Sequence, residues 1–516
     1  MHHPHKQQFL AAAQLEFDAL KRKDTFEVVN MTEKMHPIPL KWVFLYKFDT
    51  DGYLLKHKAR ICVRGDLQPF TDEENYAAIL AYKTFRALMA ITAAFGYETK
   101  QMDAVNAFLN ADLDELVYCY FPHGFEQSQK CLRLKKALYG LRKSPRLWLK
   151  QFASTLHHVG LKSIPGQPCI YTNHNGIVIF FYVDDVCFIY RLDQADELDR
   201  ILRILTETYK FRMLGEMEWF LGIRILRNRP TKKLWLCQDA YIEKIATEYG
   251  CNNSKRVETP LSTQLLEENP DAATSEQQHE YARRVGSILF AATVTRPDIA
   301  RATSHLAEFL KNPSKQHLEA ADRVIAYLYT TRHLALEYSG TNGNQEIQFN
   351  TMECTADSAF GTCSDRRSIQ KFIFKLFGGP IHWQSSKQAT VTTSTTEAEL
   401  LGVAHAAKEL IWLRNFFDKI QFDPDCNHLL QNDNLQTIRL LTKDDPLIST
   451  KLRHVDIHQH WLRELVQNKT IKIEWIPTAK MTADGMTKAL PRQKHEDFIR
   501  MLNLTNYNHL IQDDST

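Results

Sequence analysis

Two adjacent aspartates interrupt the most apolar stretch of this chain. In the segment FFYVDDVCFIY, Asp184 and Asp185 stand between aromatic and β-branched residues, which favour strands. The apolar run from Ile177 to Tyr190 is too short to cross a bilayer, so it predicts a β-hairpin whose turn holds Val183 and the two acids. Like charges in a buried setting repel each other and raise carboxyl pKa values unless a divalent cation neutralises them. The pair therefore indicates a cation site.

A purely structural turn is the alternative interpretation of this pair. An aspartate at a turn commonly only hydrogen-bonds the backbone. Hairpin turns, however, favour Asn-Gly or Asp-Gly, and this turn has no glycine and lies between strands that are expected to be buried. We therefore favour the cation site.

Composition narrows the class of protein. A chain of 516 residues is too long for one hydrophobic core, so roughly two to four domains are expected. The net charge is only +3, so a nucleic-acid partner would need a local basic surface. The 10 cysteines include no C-x-x-C pair, which argues against a zinc ribbon or a disulfide framework. With no signal-peptide pattern and no long apolar run, we expect a soluble protein in a reducing compartment.

A third carboxylate and its surroundings show a resemblance to a known family. Asp103 lies in QMDAVNAFLNADLDELVY, at a predicted strand-to-helix turn. This motif, followed by CLRLKKALYGLRKSPRLW and FYVDDV, resembles in content and order the palm motifs of a copia-type LTR retrotransposon reverse transcriptase. Upstream, WVFLYKFDTDGYLLKHKARICVRGDLQ is similar to the fingers hairpin of that family; downstream, the likeness continues through LGEMEWFLGIRI to ETPLS.

The resemblance implies roles for individual residues. Asp103, Asp184 and Asp185 would be catalytic and would hold two Mg²⁺ or Mn²⁺ ions for nucleotidyl transfer. Phe108 would exclude the 2′-hydroxyl of a ribonucleotide, and Phe220 to Gly222 resembles a hairpin that grips the primer end. The residues expected to contact substrates are Lys58, Arg60, Phe108, Lys143, Tyr182, Phe220, Leu221 and Gly222.

One of these residues departs from the family pattern. Copia-type chains commonly have Gln before the Ser-Pro of this motif, where the present chain has Lys143. Because the template is a polyanion, a segment that faces it could accept a cation.

Acidic residues recur in the C-terminal part of the chain at predicted strand ends and helix starts. CTADSAFG ends a strand at Asp357, HLLQNDN ends another at Asp433, and IKIEWIPTAKMTADGMTK adds a strand and a helix that carries Asp484. The order of three strands, helix, strand, helix, strand and helix resembles the ribonuclease H of copia-type polyproteins. That resemblance implies two-metal cleavage of RNA in RNA-DNA hybrids, with Asp357, Glu399, Asp433 and Asp484 as catalytic ligands.

Two glutamates compete for one of these positions. Ser394 to Glu397 fits a capping box at the start of a predicted long helix, and Thr396 to Glu399 fits the same spacing. The family pattern favours Glu399 as the ligand, and Glu397 is then expected to cap the helix or to support the site.

The resemblance covers about residues 14 to 492 and implies a mixed α/β, multidomain fold. That fold is a right-hand polymerase of palm, fingers and thumb, followed by a helical connection and a ribonuclease H-like domain. The expected segments are a helical lead-in (1–24), the reverse transcriptase (25–262), a helical thumb and connection (263–345), the ribonuclease H-like domain (346–492) and a tail (493–516).

Three hypotheses of function follow. The first is an RNA-directed DNA polymerase with ribonuclease H activity, whose partners are an RNA template, a DNA primer, RNA-DNA hybrid and deoxynucleoside triphosphates. The others are a catalytically silent remnant that binds nucleic acid and a hybrid ribonuclease with a structural polymerase half.

With no protease or integrase motif in view, we expect a processed fragment or a truncated relic. We expect the protein in the cytoplasm or in the nucleus. The cytoplasmic location includes a virus-like particle, where capsid and integrase of the same element would be partners. We expect no membrane partner.

Overall fold

The computed structural model describes most of the chain: residues 4–48, 53–69, 79–173, 175–253, 256–264, 266–342, 345–346, 352–424, 428–442, 453–508 and 510. Parts of several predicted segments lie outside these residues: the start of the lead-in (1–3), the tip of the fingers hairpin (49–52), the entry to the ribonuclease H-like domain (347–351) and the end of the tail (509 and 511–516). No helix of the described residues is long and apolar enough to span a bilayer.

Helices and strands are interspersed along the chain. The helices are α1 (Lys6–Arg22), α2 (Tyr82–Phe95), α3 (Ser144–His158), α4 (Ala195–Thr208), α5 (Asp239–Glu248), α6 (Ser275–Val294), α7 (Ala300–Ala307), α8 (Lys315–Thr330), α9 (Thr395–Lys419), α10 (Leu435–Thr442), α11 (Arg453–Gln467) and α12 (Arg492–Met501). The strands are β1 (Phe26–Asn30), β2 (Leu40–Phe48), β3 (Leu54–Val63), β4 (Glu98–Ala104), β5 (Asp112–Cys119), β6 (Lys130–Lys136), β7 (Lys162–Ile164), β8 (Gln167–Thr172), β9 (Val178–Tyr182), β10 (Asp185–Tyr190), β11 (Phe211–Gly215), β12 (Trp219–Phe220), β13 (Ile223–Asn228), β14 (Lys233–Cys237), β15 (Leu334–Ser339), β16 (Thr341–Asn342), β17 (Gln345–Glu346), β18 (Met352–Ala359), β19 (Ile369–Leu376), β20 (Gly379–Lys387), β21 (Leu429–Asn432), β22 (Lys472–Trp475) and β23 (Leu504–Asn506). The predicted mixed α/β fold class is confirmed.

Two compact units make up the chain. The first comprises Met1–Leu80 and Thr99–Glu216, and the second comprises Ala81–Glu98 and Met217–Thr516. The predicted reverse transcriptase segment, 25–262, contributes to both units. The predicted domain limits therefore stay a prediction.

The central sheet of the first unit has the order β11-β4-β10-β9-β8-β7. Strands β9 and β10 form the predicted antiparallel hairpin, but Asp185 pairs with Tyr182 as the first residue of β10, so the turn holds Val183 and Asp184 and not Asp185 as predicted. Phe180 and Phe188 are fully buried, as expected for a strand pair covered on both faces. The apolar approach to the two aspartates thus forms the middle of this sheet.

Two smaller sheets complete the first unit. Strands β2 and β3 form a long antiparallel hairpin, at the position of the predicted fingers hairpin. The other sheet has the order β1-β6-β5. Helix α1 lies against β3, and Leu20 shares a hydrophobic core with Ile61 and Val63 of that strand. The described part of the predicted lead-in is therefore packed on the fingers hairpin.

Helices α5 to α8 share one hydrophobic core in the second unit. Its members include Ile242, Tyr281, Ile288 and Val324, all fully buried. Helix α6 begins with a capping box formed by Thr274 and Gln277, which satisfies backbone N–H groups that have no intrahelical partner. Three of these helices, α6 to α8, lie within residues 263–345, where a helical thumb and connection was expected.

A five-stranded sheet with the order β20-β19-β18-β21-β22 organises the C-terminal part of the second unit. β19 pairs antiparallel with both β18 and β20, whereas β18, β21 and β22 run parallel. Helix α9 packs on β18 through Gly402, where a Cβ atom would lie 2.3 Å from Ser358 Oγ. A larger residue at position 402 would push the helix away from the strand that carries Asp357.

Two details of this sheet differ from the sequence prediction. β18 continues two residues past Asp357 and ends at Ala359, because the residues on both sides of Asp357 pair with β19. Asp484 lies in a short 3-10 helix, Thr482–Met486, rather than in a regular α-helix. Among the helices, one was predicted between β21 and β22, whereas the structure has two, α10 and α11; the remaining order of strands and α-helices agrees with the prediction.

Candidate active sites

The turn between β9 and β10 is strained and held from two sides. Val183 has a φ of 60°, in the left-handed region that a β-branched residue rarely adopts. Its carbonyl oxygen accepts a hydrogen bond from the indole N–H of Trp148 at 2.6 Å. The carbonyl oxygen of Asp184 accepts another from the backbone N–H of Ala104 at 2.8 Å. These contacts fix the two aspartates against the end of β4.

The structure brings the three predicted palm carboxylates together. Asp103 is the residue before Ala104 on β4, which neighbours β10 in the sheet. Burial and, to a lesser degree, the negative charges of Asp184 and Asp103 together raise the pKa of Asp185 to about 6. The pKa of Asp184 is also raised, mainly by burial. The palm cluster, Asp103, Asp184 and Asp185, is thus a set of mutually repelling acids that a bound cation would stabilise.

Basic side chains from two neighbouring elements influence this cluster. Lys58 and Arg60 on β3 lower the pKa of Asp184, against the larger effect of burial, and their predicted contact with substrate phosphates stays a prediction. Arg212 on β11 lies directly opposite Asp103, with 3.6 Å between its Nη2 and Oδ2 of the aspartate. Arg212 was missed by the sequence prediction, because only the pairing of β11 with β4 places it there.

An aromatic pair lies just beyond Asp103. Phe108 is buried in the short 3-10 helix Ala107–Asn110 and makes an edge contact with Tyr139, with 4.7 Å between ring centroids. The guanidinium of Arg60 lies over the same tyrosine ring at 4.1 Å. Burial raises the pKa of Tyr139 to about 12, so it remains a neutral phenol. Tyr139 was part of a quoted motif but was not predicted as a site residue.

The other predicted substrate contacts have varied surroundings. Lys143 is buried, and its Nζ lies 3.0 Å from Oε2 of Glu115. Tyr182 is half-buried at the end of β9. In the second unit, buried Phe220 stacks on Phe85 with 5.0 Å between centroids. Leu221 and Gly222 follow with positive φ angles of 51° and 78°; they form the turn between β12 and β13, and their predicted role stays a prediction.

A second carboxylate cluster lies in the C-terminal sheet. Asp357 on β18, Glu399 on α9 and Asp433 directly after β21 each offer one oxygen atom, and these atoms lie within 4.8 Å of one another. Within the described ranges this is the only group of three or more Asp, Glu, His or Cys residues with that spacing. Asp484 is outside the group, although its charge raises the pKa of Asp357. We call Asp357, Glu399 and Asp433 the C-terminal cluster.

Burial dominates the electrostatics of this cluster. It raises the pKa of Glu399 to about 8, and the charge of Asp357 adds to the shift. It also raises the pKa of Asp357, against the opposing charge of Lys371. Asn432 donates a hydrogen bond from Nδ2 to Oε2 of Glu399 at 3.1 Å. Neither Lys371 nor Asn432 was predicted, since the register of β19 and the packing of the end of β21 against α9 place them here.

The two glutamates at the start of α9 have different surroundings. Oε2 of Glu397 accepts hydrogen bonds from the backbone N–H and the hydroxyl of Thr393, both at 2.7 Å, and Ser394 accepts one from its backbone N–H. Glu397 thus contacts the helix start. Glu399, two residues further along α9, is the glutamate that joins Asp357 and Asp433.

The donor sets of both clusters fit hard divalent cations. Carboxylate oxygens are the ligands that Mg²⁺ and Mn²⁺ prefer. In each cluster, buried acids with raised pKa values repel one another, and a cation bound between them would remove that repulsion. Both clusters could therefore hold divalent cations.

Comparison with known proteins shows the family. Residues 23–263 match the family described as reverse transcriptase (RNA-dependent DNA polymerase). The transposon Ty5-1 protein of Saccharomyces cerevisiae is 32% identical over 317 residues, which cover 60% of this chain and 100% of that protein. The chain belongs to the copia-type reverse transcriptases. The sequence-based recognition is thereby confirmed, and the right-hand polymerase fold is the fold of this family.

A longer relative extends the likeness of this reverse transcriptase to both clusters. The retrovirus-related Pol polyprotein from transposon TNT 1-94 of Nicotiana tabacum is 32% identical over 509 residues. The match covers 96% of this chain but 38% of the polyprotein, so the chain spans little more than a third of that relative. A solved foamy viral protease-reverse transcriptase in complex with RNA/DNA hybrid aligns over 93% of this chain and 54% of its own, with 14% identity and a TM-score of 0.46.

Proposed function

We propose that this reverse transcriptase extends a DNA primer on an RNA template at the palm cluster and cleaves the RNA strand of the resulting hybrid at the C-terminal cluster. The observation that supports polymerase activity is the convergence of Asp103 with Asp184 and Asp185 inside the matched family segment. The observation that supports nuclease activity is the spacing of the three C-terminal carboxylates. Deoxynucleoside triphosphates, template, primer and hybrid are the proposed substrates.

Each element of the palm has a task in this proposal. Bound Mg²⁺ or Mn²⁺ would stabilise negative charge on the reacting phosphates at both clusters. The three palm aspartates hold the cations, and Lys58 and Arg60 bind the triphosphate oxygens. Phe108, rigid against Tyr139, lies under the sugar and excludes a 2′-hydroxyl. The chain's contribution is thus positioning and charge, which dominate phosphoryl transfer.

Primer extension tests the polymerase half. Purified protein with an RNA template, a DNA primer, deoxynucleotides and Mg²⁺ or Mn²⁺ should extend the primer, and Asp184→Asn and Asp185→Asn should not. Asp193→Asn is a matched control, because Asp193 is an exposed acid that pairs with nearby Arg191. If wild-type protein melts cooperatively and binds hybrid but extends nothing, the silent-remnant hypothesis replaces this one.

Cleavage of labelled RNA in a hybrid tests the nuclease half. Asp357→Asn and Glu399→Gln should stop cleavage and leave DNA synthesis intact. Glu397→Gln is the matched control, since it removes a carboxylate two residues away that contacts the helix start. Cleavage that persists in Asp185→Asn while synthesis is absent in wild type would favour the hybrid ribonuclease with a structural polymerase half. The expected location, in the cytoplasm or a virus-like particle with capsid and integrase, or in the nucleus, stays a proposal.

A further inference from the structure

A buried lysine shares the C-terminal cluster with the acids. Lys371 on β19 lies directly opposite Asp357 in the strand register. Its side chain is 0% exposed, and its Nζ lies 2.5 Å from Oδ2 of Asp357. Because a buried ammonium is costly unless it is paired, this contact ties the positive charge of Lys371 to one proposed cation ligand.

The ammonium of Lys371 occupies a position that one of two divalent cations would need beside Asp357. A divalent cation binds a carboxylate oxygen at about 2.0–2.6 Å, which is the distance at which Nζ of Lys371 lies from Oδ2 of Asp357. A cation on the same side of that oxygen would meet a positive charge within a few ångströms, where repulsion in a buried site is strong. The other oxygen, Oδ1, accepts a hydrogen bond from the N–H of Ser358 at 2.7 Å.

The other two acids of the cluster offer ligands for one ion. Glu399 on α9 and Asp433 after the end of β21 each present an oxygen within 4.8 Å of one of Asp357. Asp433 is anchored through Oδ2 by the hydroxyl of Thr478 at 2.8 Å. When all three acids are ionised, Lys371 balances one of their three negative charges. One divalent cation bound between Asp357, Glu399 and Asp433 would balance the other two.

We propose that Lys371 is a built-in cation that takes the place of one divalent ion, so that the C-terminal cluster binds one divalent cation instead of two. The inference rests on the proposed nuclease function of the cluster. It assigns Lys371 a positioning role through Asp357: the ammonium fixes the carboxylate and supplies one positive charge permanently. A neutral side chain at position 371 should open the second cation position.

The neighbouring lysine on the same strand provides a matched control. Lys375 lies four residues after Lys371, on the same face of β19, and opposite Glu353. Its Nζ is 3.9 Å from Oε2 of Glu353, whose side chain is 52% exposed. Lys375→Met removes a similar cross-strand charge without touching the cluster.

Counting bound Mn²⁺ tests the inference without relying on activity. The full chain carries Asp184→Asn and Asp185→Asn to disable the palm cluster, and free Mn²⁺ is measured by electron paramagnetic resonance during a titration. The number of Mn²⁺ ions bound at the C-terminal cluster is the decrease in bound Mn²⁺ when Asp357→Asn is added to the same chain. We expect one ion in this background, two with Lys371→Met and one with Lys375→Met. Thermal melts verify folding, and Lys371→Gln, which keeps a polar side chain, is measured alongside.

The outcomes separate the inference from the proposed function. Two ions at the cluster while Lys371 is present, or one ion in both Lys371→Met and Lys371→Gln, would overturn the built-in cation and leave the nuclease site standing. If Asp357→Asn releases no Mn²⁺ in any background, the cation site itself is wrong, and the proposed nuclease function falls with it.

Discussion

Trp148 of α3 donates its indole N–H to the carbonyl oxygen of Val183, 2.6 Å away, in the turn that carries Asp184 and leads directly into Asp185. Trp148 is almost fully buried and stacks on Phe152 with 5.1 Å between centroids, so the donor is fixed. Val183 itself has the unfavourable φ of 60°, which persists only where surrounding contacts enforce it. The geometry of the palm cluster therefore depends on a helix outside it.

Trp148→Phe should keep the aromatic packing and lose this hydrogen bond. We expect a loss of about 1 kcal/mol in the free energy of unfolding and a drop of roughly tenfold or more in single-turnover nucleotide addition, since small displacements of reacting groups are costly. Trp235→Phe is the control, because Trp235 donates a comparable buried hydrogen bond to Glu337 in the second unit. An unchanged addition rate in Trp148→Phe would show that the turn holds its shape unaided.

The raised pKa of Asp185 predicts opposite pH trends with and without cations. Its pKa of about 6 in the folded protein exceeds the unfolded value of about 3.9, so the native state binds this proton more tightly. Without divalent ions, the contribution of Asp185 to stability is full below about pH 4 and is lost as pH rises through 6. Cation binding needs the ionised carboxylate, so Mn²⁺ affinity at the palm should rise over the same range.

A comparison of wild type with Asp185→Asn isolates the contribution of this carboxyl group to the pH dependence of stability and of Mn²⁺ affinity. Urea unfolding in chelator from pH 4 to pH 7 should show wild type losing stability relative to the variant as pH rises. Mn²⁺ titrations should show a weaker pH dependence of palm affinity in the variant than in wild type, since only Asp184 keeps a raised pKa there. A wild type that gains stability relative to Asp185→Asn across this window, in the absence of divalent ions, would contradict the raised pKa.

The elements of the fold and of the site that depend on local sequence pattern could be predicted from the sequence. The hairpin around Asp184, the long helix that carries Glu399 and the strand that ends before Asp433 follow from apolar spacing and turn residues close to them in sequence. The palm and nuclease acids could be named because short motifs carry them. Those assignments needed no knowledge of which strands pair.

The residues that were missed depend on pairing between distant strands. Arg212 approaches Asp103 only because β11 pairs with β4, and Lys371 approaches Asp357 only in the register that β18 adopts with β19. Strand register has no signature in a single sequence once both faces of a sheet are buried. The partner of Lys143 was not foreseen either: Glu115 on β5 is 28 residues earlier in the chain, and only tertiary packing brings it to the start of α3.

The ion pair of Lys143 with Glu115 gives a prediction that separates a structural role from template contact. Lys143→Met should lower the free energy of unfolding by about 2 kcal/mol, less than for a fully buried pair, because the Glu115 side chain is 27% exposed. RNA template affinity and its salt dependence should stay unchanged. Lys150→Met, at an exposed position of the following helix, is the control. Weaker template binding at unchanged stability would instead favour the template-facing role predicted from sequence.

A buried charge pair in the second unit yields the strongest stability prediction. Arg296 and Asp298 are both 0% exposed in their side chains and are joined at 2.7 Å. The hydroxyl of Tyr327 donates to Oδ2 of Asp298 at 2.7 Å and lies 2.8 Å from Nε2 of His495 on α12. The network therefore links α8 and α12 through one buried carboxylate.

Asp298→Ala should leave the guanidinium of Arg296 buried without its counter-charge and lower the free energy of unfolding by about 3–5 kcal/mol. Asp322→Ala is the control, because Asp322 pairs with Arg284 at a side chain that is 37% exposed and should cost under about 1 kcal/mol. The double variant Arg296→Met/Asp298→Leu should recover most of the loss, since it removes both charges and keeps apolar volume. A loss below 1 kcal/mol for Asp298→Ala in urea unfolding would mean that water or another acceptor reaches Arg296, and that α12 is held by its apolar contacts alone.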